Sequence, residues 1–207
     1  MPIKFIKLSF VVIVAISGAA GLFIWLGIFN VAATEKHWNV TTSLLEIIRD
    51  RSISTRSKNL TVPDLTSTER LARAAPNYDA MCAQCHLAPG IEKSELYEGL
   101  YPQPPVFHKR KQSSTRKPHE AFWVIKNGLK LTGMPAWGIY NSDEQIWDIV
   151  ALLSTINSMT PEQYQKLTAA GKHGHAKGAG HDKTESPGTG DSDKNQHASG
   201  AEKDHHK

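Results

Sequence analysis

Cys82-Ala83-Gln84-Cys85-His86 lies near the middle of a 207-residue chain and uses both of its cysteines. In C-x-x-C-H the two thiols can add across the vinyl groups of a haem, which sets the adjacent imidazole beneath the iron as an axial ligand. Paired thiols have two other common uses. A thioredoxin-like C-x-x-C needs a surrounding βαβ pattern, and a zinc site needs a second pair at ligand spacing; the sequence around residue 82 offers neither. One covalently bound haem c, held by Cys82, Cys85 and His86, is the expectation.

An iron bound by His86 needs a sixth ligand, and the candidates outside the C-terminal tail are Met81, Met134, Met159, His108 and His119. Met81 adjoins the attachment site and cannot reach the opposite haem face. Met159 follows the last amphipathic segment, where a thioether is more often packing material. Met134 sits in Thr132-Gly133-Met134-Pro135-Ala136-Trp137-Gly138, a loop punctuated by Gly and Pro that can hold an extended strand against a ring. Met134 is therefore the expected ligand, with His108 and His119 read as surface residues beside a basic loop.

The surrounding pattern is helical. Ser142 followed by Gln145 forms a capping box, and Ile146, Ile149, Val150 and Leu153 recur at helical spacing, which predicts a helix over about 143–157. Trp147 on it is expected to pack on the haem or on the helix carrying Tyr78. A second helix is predicted over 118–127, with Pro118 in its first turn and Gly128 at its end. Pro76 suits the start of the attachment helix by the same preference.

These residues resemble the class I c-type cytochromes, especially the bacterial group related to the cytochrome subunits of cbb3-type oxidases. The resemblance covers about residues 75–157. It rests on Tyr78, Cys82-Ala-Gln-Cys-His86, the 102–106 segment, Asn127-Gly128, Gly133-Met134-Pro135 and Asp143-Glu144-Gln145-Ile146-Trp147. It implies an all-α fold of three to five helices around one haem, His and Met axial ligands, and electron transfer. Leu87 departs from the pattern, since many relatives have Gly after the haem-binding His. Pro89 is expected to offer its carbonyl to the second nitrogen of His86, which would fix the ring.

The two ends differ from this middle. Residues 8–29 form a 22-residue run without a charged side chain, and at about 1.5 Å per residue a helix of that length crosses a hydrocarbon core of about 30 Å. Lys4 and Lys7 precede the run, so that side stays cytoplasmic and the rest is exported. A cleaved signal peptide ending near Val31-Ala32-Ala33 is the rival reading. Against it stand the length of the apolar core and Trp25, placed as an interfacial anchor. Residues 171–207 contain no Val, Ile, Leu, Met, Phe, Tyr or Trp and hold six of the ten histidines. Such a tail is expected to be disordered; it reads either as a low-affinity buffer for Cu, Ni or Zn or as a solubilising extension.

The organisation expected is an anchor or signal segment at 1–33, a connector at 34–66, a cytochrome domain at 67–160, and a short helix followed by the histidine-rich tail at 161–207. In the connector, 38–49 is amphipathic and suits either the membrane or the domain, whereas 50–59 reads as a polar spacer. A net charge of +4 is too weak for phosphate-backbone binding, which excludes nucleic acid. Residues 101–119 carry Lys109, Arg110, Lys111, Arg116 and Lys117 with no acidic side chain, a pattern that can steer an acidic redox partner. With both axial positions filled, no site is vacant for small-molecule activation. The chain is expected to be a one-electron carrier at the inner membrane with its haem domain in the periplasm, not itself an enzyme. The rival classes are a cytochrome subunit of a larger membrane oxidoreductase and a metal-handling protein acting through the tail.

Overall fold

Ser142 caps the last core helix as its spacing predicts: its hydroxyl accepts from the Gln145 N–H at 3.3 Å while the Gln145 side chain accepts from the Ser142 N–H at 2.8 Å. The helix it starts is one of eight α-helices, and no strand, among the described residues of the computed structural model, which are 3–111 and 116–175. In chain order they are α1 (Ile3–Trp25), α2 (Asn39–Ser57), α3 (Thr68–Met81), α4 (Ala83–His86), α5 (Glu95–Gly99), α6 (Pro118–Asn127), α7 (Asp143–Leu153) and α8 (Pro161–His175). The protein is all-α, with five of these helices between residues 68 and 153.

The core lies where α3 packs on α7, with α8 also against α3 and α6 against α7. Ala74, Ala75 and Tyr78 of α3 meet Ile146, Ile149, Val150 and Leu152 of α7, and Tyr164 of α8 closes the cluster. α3 and α7 are also clamped by charge. Asp148, 2 % exposed, accepts from Arg70 at 2.7 Å and from both nitrogens of an Arg73 fork at 2.7 and 2.9 Å. A carboxylate this buried is tolerable because two guanidiniums satisfy it.

Several elements differ from the sequence expectations for identifiable reasons. The attachment helix starts at Thr68, with Ser67 before it, and Pro76 sits inside it, not at its start. An interior proline loses one N–H bond and crowds the carbonyl one turn back, a cost that burial of Pro76 with Ala74, Ala75 and Tyr78 opposes. The predicted polar spacer is helical as far as Ser57, because Ile53 and Ser57 are buried where α2 packs on α6. Trp147 shares a buried cluster with Tyr78 of α3, in line with the expectation, and in addition stacks on Phe122 of α6, ring centroids 4.1 Å apart. The apolar N-terminal helix begins and ends earlier than 8–29, at Ile3 and Trp25, and is long and apolar enough to cross a membrane. Of the tail, 176–207, with His181, His197, His205 and His206, lies outside the described residues.

Candidate functional site

α3 delivers the chain to Cys82, whose N–H closes that helix on the Tyr78 carbonyl at 2.8 Å. The Cys82 carbonyl then accepts from both the Cys85 N–H at 3.0 Å and the His86 N–H at 2.8 Å. One tight turn, α4, thus carries both thiols and the imidazole. The cysteines are free and half-buried, and burial, with Cys85 adding to it, pushes the Cys82 thiol up to about 12.

His86 is oriented from one side only. Its Nδ1 lies 2.9 Å from the Pro105 carbonyl oxygen. A carbonyl can only accept, so Nδ1 carries the proton and the Nε2 lone pair is left for another partner. Burial lowers the pKa of His86, opposed by this hydrogen bond, which favours the neutral imidazole a metal requires. Phe107 lies against the ring, centroids 4.8 Å apart and tilted by 31°. The orienting carbonyl is therefore that of Pro105, not the expected Pro89. Pro89 follows the turn too closely, whereas Pro105 returns from a separate segment.

Leu87, the departure from the family pattern, keeps the backbone that glycine would favour, with φ 56° and ψ 177°. Its carbonyl accepts from the buried Tyr78 hydroxyl at 2.9 Å. Strain in that region is of order 1–3 kcal/mol for a residue with a Cβ. Burying a leucine side chain contributes about 1.5–3 kcal/mol, and Leu87 is 1 % exposed, so burial offsets the strain. Beyond it, Gly90 has φ 88° and packs on Pro161 at the start of α8.

The Met134 loop is folded back on Gly128, where a Cβ would stand 2.8 Å from the Met134 carbonyl oxygen. That carbonyl accepts from Leu129 N–H at 3.1 Å. The Thr132 hydroxyl donates to the Leu129 carbonyl at 2.8 Å and accepts from the Met134 N–H at 3.1 Å. The half-buried Met134 side chain packs against the same apolar cluster as Cys82 and Phe107. Met159 also touches that cluster, from the turn before α8. Met81 is the last residue of α3, and His119 is the second of α6.

His108 corrects an expectation: it is not a simple surface residue. Both ring nitrogens are buried and without a protein partner among the described residues, and burial lowers its pKa. Orphaned nitrogens in the residue next to Phe107 call for a polar group that protein atoms do not supply. Two thiols, an imidazole with its Nε2 lone pair free, and a thioether on the same cluster form a donor set that fits a haem c. The basic segment is less open than its sequence implied. Lys109 pairs with Glu92 at 2.5 Å and Arg116 with Asp50 at 2.7 Å, while the Arg110 guanidinium stands 6.0 Å from the centroid of the Phe107 ring.

Sequence reasoning missed Pro105 as the carbonyl that orients His86, although 102–106 stood out in the motif pattern. It also missed the Arg70–Arg73–Asp148 clamp, which no local spacing signals. Comparison with known proteins adds one finding. Residues 69–153 match the family model described as cytochrome C oxidase, cbb3-type, subunit III. No curated protein and no solved structure matches the chain. From α3 to the end of α7, therefore, the chain is similar to the c-type cytochrome domain of the cbb3-type oxidase subunit III family.

Proposed function

We propose that the protein is an extracytoplasmic one-electron carrier anchored by α1, with a single haem c attached through Cys82 and Cys85 and ligated axially by His86 and Met134. The observation that carries this reading is the state of His86: buried, pinned through Nδ1 by the Pro105 carbonyl, with Nε2 free one turn from two thiols. The bound group supplies reversible one-electron chemistry at iron. The chain does the rest. Pro105 and Phe107 hold the imidazole plane, Thr132 and Gly128 shape the loop that presents the Met134 sulfur, and the α3–α7 core excludes water behind the attachment turn. Ligation by methionine raises the potential relative to two histidines.

The redox partners are proteins of a membrane electron-transfer system. With Lys109 and Arg116 engaged internally, an acidic patch on the partner is a secondary attraction at most. The family description favours a second reading, a subunit of a larger membrane oxidase. Mild detergent extraction followed by sizing separates the two: a freestanding carrier elutes alone, and a subunit co-elutes with haem-bearing partners.

The attachment test is intact mass of the chain produced with a competent cytochrome c maturation system. The expected result is a gain of one haem that survives acidic organic extraction and disappears in a Cys82→Ser, Cys85→Ser double variant. Pigment that washes out of the unaltered protein refutes the proposal.

A further inference from the structure

α2 packs on α6 by one face only. Ile53 and Ser57 are buried, and Asp50 is tied to Arg116 at 2.7 Å. Val40, Leu44, Ile47 and Ile48 recur at i, i+4, i+7 and i+8, which puts them on one helix face. All four are more than half exposed, at 80, 57, 61 and 55 %. Four aliphatic side chains in one stripe are costly to leave in water, at about 25 cal/mol per Å².

The stripe begins at a fixed height. Trp38, immediately before α2, meets Phe23 in the last turn of α1 at 6.4 Å and Phe29 just beyond it at 5.8 Å. Phe29 also stacks on His37 at 6.4 Å. α2 therefore starts level with the outer end of the helix that reads as the membrane span. Residues 36–58 carry five Lys and Arg, Lys36, Arg49, Arg51, Arg56 and Lys58, against Glu46 and Asp50. An amphipathic helix with cations around an apolar stripe is the form that lies in a bilayer interface.

We propose that α2 lies on the outer surface of the membrane with the Val40–Leu44–Ile47–Ile48 stripe in the acyl boundary, so that it clamps the cytochrome domain to the bilayer at a fixed orientation. The occupant of this face is lipid. One consequence concerns the haem site. The His37 N–H donates to the Tyr101 hydroxyl at 2.8 Å, their rings 4.9 Å apart, so the segment leading to Pro105 is held near the same surface. The fitting partner is a membrane-embedded redox protein whose own cofactor opens close to the bilayer, not a soluble carrier approaching from any direction.

The proposal rests on the reading of α1 as a retained span, and the test keeps the two apart. Single cysteines replace Ile16, Leu44, Ile47 or Leu131 in the full-length holoprotein, the native thiols being held by the haem. Each is labelled with a nitroxide in nanodiscs of phosphatidylglycerol and phosphatidylethanolamine. Accessibility to oxygen and to a water-soluble nickel complex is then read by electron paramagnetic resonance. At Leu44→Cys and Ile47→Cys oxygen should dominate, as at Ile16→Cys, and the order should invert at Leu131→Cys, 81 % exposed on the Met134 loop of the cytochrome domain. Nickel access at 44 and 47 equal to that at 131, with 16 still in lipid, overturns the α2 proposal alone. Labels at 44 and 47 shielded from both reagents overturn it in favour of a protein contact. Nickel access at 16 overturns the anchor reading and this proposal with it.

Discussion

The two sides of the candidate site are built differently. The attachment side is a product of long-range structure: Tyr78 holds the Leu87 carbonyl, Pro105 holds His86, and Asp148 clamps the α3 helix that leads into the turn. The Met134 side takes its hydrogen bonds from within the loop, Thr132 to Leu129 and Met134, with the close approach at Gly128, and its distant contacts are apolar, Leu100 against Gly133 and Met134 on the core cluster. Its neighbour Leu131 has φ 60° and is 81 % exposed. The Cys82–His86 side is therefore tied to the core by buried long-range contacts, whereas the Met134 loop, whose hydrogen bonds are its own, is expected to open at lower cost. On the proposed ligation, the methionine ligand should be lost under milder conditions than those that unfold the core.

The largest expected effect is at the clamp. Asp148→Ala removes a buried acceptor of three charge-assisted hydrogen bonds, leaving Arg70 only Glu144 at 2.8 Å, and should cost about 3 kcal/mol in denaturant unfolding of the holoprotein. A smaller loss would mean that the arginines relax into solvent. Next, Tyr78→Phe strands the Leu87 carbonyl in the interior, with a cost of about 1–3 kcal/mol. The optical signature of methionine ligation should stay intact, because the defect is confined to the attachment side. Thr132→Ala should do the converse. It removes two loop hydrogen bonds worth about 1 kcal/mol each, so global unfolding changes little while methionine ligation is lost at a lower temperature or milder alkalinity. Equal losses of ligation and global stability would break the contrast.

The smallest effect concerns α2. The Asp50 carboxyl is held down to about 2, chiefly by its hydrogen bond from Arg49 and also by Arg116, against opposing desolvation. A depressed acid contributes stability above its unfolded pKa of about 3.9, and that contribution is lost as pH falls through the folded value. The Asp50 ties to Arg49 and Arg116 should therefore weaken between about pH 4 and pH 2, seen as faster amide exchange in α2, and Asp50→Asn should abolish that pH step.

Much of this was legible in the sequence where the signal is local. The capping box at Ser142 and Gln145, the bounds of α6 and the C-x-x-C-H turn all depend on residues within a few positions of one another. What was not legible depends on distance. Pro105 lies 19 residues from His86, and Asp148 lies 75 and 78 residues from its arginines. The helix over 50–57 looked like a spacer because Ile53 is its single large apolar residue, and only docking on α6 reveals what that residue does. His108 looked exposed for the opposite reason: a histidine among lysines and arginines gives no hint that its ring turns inward.

The most direct test of the central claim is the near-infrared spectrum of the oxidised holoprotein, in the band that reports methionine sulfur on ferric haem. The band should be present in the unaltered protein and in Met159→Ala, and absent in Met134→Ala with the pigment still covalently held. Its persistence in Met134→Ala, or its loss in Met159→Ala alone, would contradict the assignment.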